Sequence, residues 1–333
     1  KYFDQTLVHT GQNYDYELNG IFFDNLQLRQ PDIYLDAPGN DLGETMGNII
    51  AKTYAALAEA RPDALLFLGD TTSALSAISA KRLKIPIFHM EAGTRCWDWN
   101  VSEMINRKIV DHISDINLPY TEHSRRYLLS AGIDGKTMFV TGSPMPEVLA
   151  AHAEAIKNSD ILSRLKLEEG KYILLSAHRE ENIDNEENFM SLMGAVNRIA
   201  ENTGLPIIYS THPRSKKFIE KRGFVFHPLV QTLAPFGFTD YVKLQKSAYC
   251  VLSDSGTLSE ESAVLGFAGV LIRTSTERPE VLDKGTVVIG GIKGDDVQQA
   301  MELAVAMQAA NEPTVLPTDY NDQNVSVKVV KII

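Results

Sequence analysis

Short aliphatic and β-branched runs alternate with longer helical patterns along this whole chain, and that alternation constrains the fold more than any other feature. In the first half the strand candidates are Gln5–His9, Ala64–Gly69, Ile85–Met90, Ile116–Leu118 and Met138–Thr141. Between them, helical patterns cover Asn40–Ala60, Ser73–Leu83 and Glu122–Ala131. In the second half the strands are Tyr172–Ala177, Pro206–Ser210, Tyr249–Ser253, Val270–Ile272 and Thr286–Ile289, with helices over Asn185–Asn202, Leu258–Leu265 and Asp295–Ala309. Strands that are apolar along nearly their whole length, each followed by a helix, belong to parallel sheets covered on both faces.

The alternation runs twice, so the pattern predicts an α/β chain of two Rossmann-like doubly wound parallel-sheet domains facing a cleft. Ligands of such sheets bind at the carboxyl ends of the strands. The boundary is expected near Gly142–Glu147 (GSPMPE), giving an N-terminal domain over 1–142 and a C-terminal domain over 143–317. Segment 318–333 is expected to pack back on the first domain, with a Val-rich and therefore weak helix at Asn324–Ile333. Doubly wound domains usually open on a strand and a glycine-containing loop. Lys1 is not Met and Gln5–His9 reads as a strand already inside a domain, so a first strand and part of the active site are expected ahead of Lys1.

Composition narrows the function classes. The chain has 333 residues, 44% of them hydrophobic, which suits a sizeable core. Its formal net charge of -11 argues against nonspecific nucleic-acid binding, which needs clustered Lys and Arg, but leaves room for a nucleotide in a local basic pocket. No apolar run is long enough to span a membrane. Cys96 and Cys250 stand far apart, so neither a disulfide framework nor a zinc site is expected, and a reducing cytoplasm fits. GxGxxG, GxxxxGK[ST] and HExxH are all missing, and the eight His show no metal-ligand spacing.

Polar residues gather just after the strand candidates. Asp70 ends LLFLGD, Glu91 follows IPIFHM, His178 ends YILLSAH, and Asp254-Ser255-Gly256 ends CVLSDSG. Any one of these turns could be a helix cap. Glu and His are poor caps, so the set as a whole reads better as a site. Asp254-Ser255-Gly256 opens a helix, where N–H groups and the dipole attract a phosphate and glycine lets the backbone approach. Glu260 and Glu261 further along either accept hydrogen bonds from ribose hydroxyls or form a solvated face. Arg278 and Glu280 lie in TERPE, which reads as a loop because of Pro279; there Arg278 pairs with a diphosphate or forms a surface salt bridge. Glu103 and Arg107 in VSEMINRK are an i,i+4 pair that suits either a site or a helix-surface ion pair. His9, His89 and His212 read equally as satisfied strand-end histidines.

Together, LVHTGQNYD, LLFLGDTTSA, HMEAGTRC, NRKIVDHISD, VTGSP, SAHREEN, DSGTLSEES and TERPE resemble the non-hydrolysing UDP-N-acetylglucosamine 2-epimerase family, in family order over nearly the whole chain. The resemblance implies a glycosyltransferase-B-like fold, an isomerase, no cofactor, and a UDP-acetamido sugar as the bound partner. It implies acidic catalytic residues at Asp70, Glu91 and Glu103 and a catalytic histidine at His178. It places diphosphate contacts on Ser255 and Gly256, the ribose carboxylate on Glu261, an aromatic near the uracil on Tyr241, and substrate contacts on Arg278 and Arg107. TGQNYDYELN, AHREENID and THPRS look like the branch that makes UDP-N-acetyl-L-fucosamine from UDP-2-acetamido-2,6-dideoxy-L-talose for capsule and O-antigen. A homodimer is expected by the same analogy.

Three departures stand out. Ser102 and Met104 replace a Pro and a second Glu, Thr257 replaces a frequent second Gly, and Asn13-Tyr14-Asp15 stands where some members bind a second, activating UDP-sugar. The family's chemistry follows from the weak acidity of C2–H, which has no adjacent carbonyl. UDP leaves C1 as the C2 proton is removed, and adds back after reprotonation on the other face. That route needs donors for departing UDP and acid–base groups on both ring faces, with no net redox change. UDP-GlcNAc/UDP-ManNAc interconversion is the alternative within the family, and a UDP-sugar glycosyltransferase, a hydrolase releasing free sugar, and a non-catalytic UDP-sugar sensor are the competing readings outside it.

Overall fold

The computed structural model describes residues 1–11, 20–96, 103–312 and 315–333, and among these every paired strand is parallel to its neighbours. The chain forms two units. The first comprises Lys1–Phe23, Gln27–Glu147 and Asn321–Ile333, and the second comprises Asp24–Leu26 and Val148–Tyr320.

In the first unit, strands β1 (Val8–His9) and β2 (Ile33–Tyr34) pair with each other, and β3 (Leu65–Leu68), β4 (Ile87–Met90) and β5 (Ile116–Leu118) form a second sheet in that order. The Leu42–Ala60 helix starts where Asp41 accepts the amide of Glu44, and it ends at Arg61 in the left-handed region. Its Leu57 packs with Ala77, Ala80, Ile87 and Val110, while Ile49 packs with Leu35 and Leu75. The final helix, Val325–Ile332, lays Val325 and Val329 against Phe88 and Leu118. The strand expected at Met138–Thr141 is reduced to a single bridge from Met138 to Asn117. The segment still follows β5, since Phe139 donates to the Asn117 carbonyl and Thr141 to that of Pro119. The adjoining Gly142 has φ +87, which turns the backbone out of the extended form.

The second unit carries β6 (Ile173–Ser176), β7 (Ile207–Ser210), β8 (Val230–Leu233), β9 (Cys250–Ser253), β10 (Gly269–Leu271) and β11 (Val288–Ile289) in one sheet of order β11-β10-β9-β6-β7-β8. Both faces are buried. Ile173 and Leu175 point to one side, with Phe189, Leu192, Val196 and Ile199 of the Glu186–Thr203 helix against them. Leu174 points to the other side, with Ile208, Val251, Leu258 and Leu271. The 189, 192, 196, 199 spacing is one helical stripe, capped by Asn185 and closed by Gly204 at φ +65. Each such side chain contributes about 1.5–3 kcal/mol by leaving water. Strand β8 has no counterpart in the sequence pattern because only Val230 in VQTL is buried, as suits an edge strand. No helix among the described residues is long and apolar enough to cross a membrane.

This strand order positions the site. The chain winds from β6 out to β8, then returns to place β9 on the other side of β6. In doubly wound sheets the crevice at that reversal is where ligands bind. Ser176 is paired with Ser253 across β6 and β9, so Ala177-His178 and Asp254-Ser255-Gly256 emerge there side by side.

Candidate active site

In the first unit, the turns after β3 and β4 meet one arginine. Gly69 has φ +79 and carries the chain out of β3 into Asp70; Glu91 itself has φ +64. The left-handed region costs a non-glycine residue roughly 1–2 kcal/mol, so the Glu91 turn needs support. The Glu91 amide donates to the Leu118 carbonyl at 3.1 Å. Its own carbonyl accepts from Nη1 of Arg107. Arg107 is buried on the Glu103–Ile113 helix; its Nε donates to Asp70 Oδ2 at 2.8 Å and its Nη2 to Glu91 Oε1 at 2.7 Å. One guanidinium thus holds both carboxylates and the strained carbonyl. Burial by itself would make Arg107 easier to deprotonate, but Asp70, Glu91 and Asp111 outweigh burial and hold it above its ordinary value. Asn106 adds a bond to the Asp70 carbonyl at 3.0 Å. Glu103 opens the same helix one turn before Arg107, half-buried.

In the second unit, fully buried Asp254 organises the switch-point loops. Its Oδ2 accepts the backbone amides of His178 and Arg179, both at 2.9 Å, and Nδ2 of Asn182 at 3.1 Å. The His178 imidazole lies 3.3 Å from Asp254 Oδ1 through Nδ1 and stacks on His212 with centroids 5.4 Å apart. The Ser255 hydroxyl shares a hydrogen bond with Thr257 at 3.0 Å, and Gly256 is the cap residue of the Thr257–Leu265 helix. A Cβ at Gly256 would sit 3.5 Å from Glu277 Oε2 and 3.7 Å from Arg179 Nη2, so charged groups line this turn. Arg273, almost fully buried, reaches Glu277 Oε1 at 3.4 Å and Glu181 Oε1 at 3.5 Å. Burial would raise the Glu277 pKa, but Arg179, Arg273 and Arg278 hold it below the usual carboxylate range.

One helical turn further, Glu261 is buried and accepts from Gln245 Nε2 at 2.5 Å. Burial raises its pKa despite that hydrogen bond. Tyr241 lies on the Phe238–Ser247 helix, and burial raises its pKa. A phosphate at the Thr257–Leu265 helix start would meet the amides of the first turn and the helix dipole. A ribose hydroxyl at Glu261 would meet an acceptor.

The whole chain, residues 1–333, matches the sequence profile of the family described as UDP-N-acetylglucosamine 2-epimerase. This chain belongs to that family. Its members are isomerases. A solved UDP-N-acetylglucosamine 2-epimerase from Rickettsia bellii is 44% identical at TM-score 0.89, covering 98% of this chain and 88% of its own. The Methanocaldococcus jannaschii UDP-GlcNAc 2-epimerase, solved with UDP-GlcNAc and UDP, superposes at TM-score 0.92 with 28% identity over 100% of this chain and 92% of that one. A UDP-2,3-diacetamido-2,3-dideoxy-D-glucuronate 2-epimerase of Pseudomonas aeruginosa is 30% identical over 89% of this chain and 82% of its own length.

Within this epimerase-family chain, the expected residues divide between the units. Asp70, Glu91, Glu103 and Arg107 lie together in the first, where Arg107, expected as a substrate contact, directs its guanidinium to Asp70 and Glu91. His178, Ser255, Gly256, Glu261, Tyr241 and Arg278 lie in the second. Several readings are corrected. Glu260 and Glu261 are buried, so a solvated face is excluded. Arg278 is buried too, with Nε on Glu260 Oε1 at 2.8 Å, so its ion pair is not a surface one. TERPE is not all loop: Pro279–Asp283 is a short helix, because proline at the first helical position lacks only an N–H that has no partner there anyway. Ser102 and Asn13-Tyr14-Asp15 lie outside the described residues. Sequence reasoning missed the organising role of Asp254, the Arg179–Glu277–Arg273 cluster, and the buried His89–Asp111–Arg95 group. The 4-residue step from Arg107 to Asp111 on one helix face was the available signal for the last.

Proposed function

We propose that this chain inverts C2 of a UDP-linked 2-acetamido sugar by eliminating UDP and adding it back, supplying surface polysaccharide synthesis in the cytoplasm. The observation that carries this reading is the pairing of Asp70 and Glu91 on one buried guanidinium. Arg107 holds both carboxylates in fixed positions through charge-assisted hydrogen bonds, as a proton acceptor at C2 needs. Ser255, Gly256 and Arg278 hold the diphosphate, and His178 stabilises charge as UDP departs. Glu261 takes the ribose, Tyr241 flanks the base, and Glu103 joins the acid–base set.

The preferred sugar is the 6-deoxy-L-talo substrate of the L-fucosamine branch. The branch-marking motifs support it as one module beside His178: Arg214 of THPRS pairs with Glu180 at 2.8 Å and Asp184 at 3.0 Å of HREENID. UDP-GlcNAc/UDP-ManNAc interconversion is the second reading, favoured by the names of the Rickettsia and Methanocaldococcus relatives. Both UDP-sugars assayed side by side in deuterium oxide test the proposal. The product is expected to remain UDP-linked and to carry deuterium at C2. Free sugar, sugar transfer, or a product without deuterium overturns it.

The raised pKa of Glu261 gives a pH prediction. Hydroxyl donors of ribose favour the carboxylate, so UDP binding drives off a proton wherever the group is protonated beforehand. UDP affinity is therefore expected to fall as pH falls through that raised value, with proton release detectable by calorimetry in buffers of different ionisation enthalpy. Glu261→Gln is expected to weaken UDP binding about 10–100-fold and to flatten the pH dependence.

A further inference from the structure

Beneath the Asp70–Arg107–Glu91 bridge, one fully buried carboxylate, Asp111, reaches a side chain before Glu91 and a backbone amide after it. Asp111 follows Arg107 by one helical turn on the same inward face. Its Oδ1 lies 3.0 Å from Nδ1 of His89, two residues before Glu91, and accepts the amide of Gly93, two residues after it, at 3.2 Å. Its Oδ2 lies 2.7 Å from Nη1 of Arg95. The other side of the His89 ring reaches the preceding strand: Nε2 donates to the Gly69 carbonyl at 3.0 Å, next to Asp70, while the ring stacks on Phe67 at 4.7 Å. The Asp111 backbone carbonyl accepts from Asn117 of β5 at 3.0 Å.

Burial would raise the Asp111 pKa, but His89, Arg95 and Arg107 hold it below the ordinary aspartate range. Buried ion pairs are weak devices for stability, since well-packed apolar groups of the same volume do as well or better. This one lies where a sub-ångström error would move both carboxylates, and it spans the strained residue in the set. The neighbouring turn is closely fitted too: a Cβ at Gly93 would come within 2.5 Å of the Ser124 carbonyl oxygen.

We infer that His89 and Asp111 are positioning residues, a brace that sets the spacing and direction of Asp70 and Glu91 for proton transfer at C2. The inference rests on the epimerase reading above. It requires no contact with substrate.

The test compares Asp111→Asn and His89→Gln with the unaltered protein. Gln keeps a donor for the Gly69 carbonyl, so it carries the comparison if the Asn variant does not fold. Both are expected to lower kcat for C2 inversion about 10–100-fold while leaving KM and UDP affinity within about twofold. Hydrogen exchange is expected to accelerate in the segment from β4 through Arg95. A merely structural role would scale activity with the folded fraction and leave exchange in folded protein unchanged. Folded variants with kcat and exchange like the unaltered protein overturn the brace. No turnover of any UDP-acetamido sugar by the unaltered protein overturns the epimerase reading instead, and the exchange data still decide the brace.

Discussion

Asp70→Asn is expected to lower kcat for C2 inversion about 10²–10⁴-fold, the usual worth of a positioned acid or base, with UDP affinity nearly unchanged. The substitution suits the geometry. Arg107 Nε donates to one Asp70 oxygen at 2.8 Å, and the amide oxygen of Asn can accept that bond in the same place. Asn106 bonds to the Asp70 backbone carbonyl, which the change does not touch. The turn is therefore expected to survive while the proposed proton acceptor is lost. Turnover and deuterium incorporation at C2 should fall together. Full turnover in folded Asp70→Asn protein would remove Asp70 from the mechanism.

Arg107→Met is expected to abolish turnover and to cost about 3–5 kcal/mol of stability, as removal of one partner from a buried ion pair does. Asp70 and Glu91 side chains are only 14% and 17% exposed, and both lose their shared cation. Without that shared cation neither carboxylate keeps the bond that aims it. The strained Glu91 carbonyl also loses its donor. Arg107→Lys should recover part of the stability and little activity, because an ammonium cannot serve three acceptors in the plane of a guanidinium. Urea unfolding beside turnover checks both changes; an active Met variant with unaltered stability would show that the bridge is dispensable.

The parallel α/β architecture was legible in the residues, because a strand buried on both faces must be apolar throughout, as Ile173, Leu174 and Leu175 are, and because the 189, 192, 196, 199 stripe has only one helical reading. The strand-end positions of Asp70, Glu91, His178 and Ser255 were also visible, because each follows an apolar run directly in the sequence. Strand pairing was not visible. That β9 lies beside β6, and so brings Asp254 to the amides of His178 and Arg179, depends on contacts between segments over 70 residues apart, which no local periodicity encodes. The same holds for Arg107. Its helix shows that it faces inward with Asp111, but which carboxylates it would grip was decided only when β3 and β4 delivered Asp70 and Glu91 to one guanidinium, because ion-pair partners are chosen by proximity in space rather than along the chain.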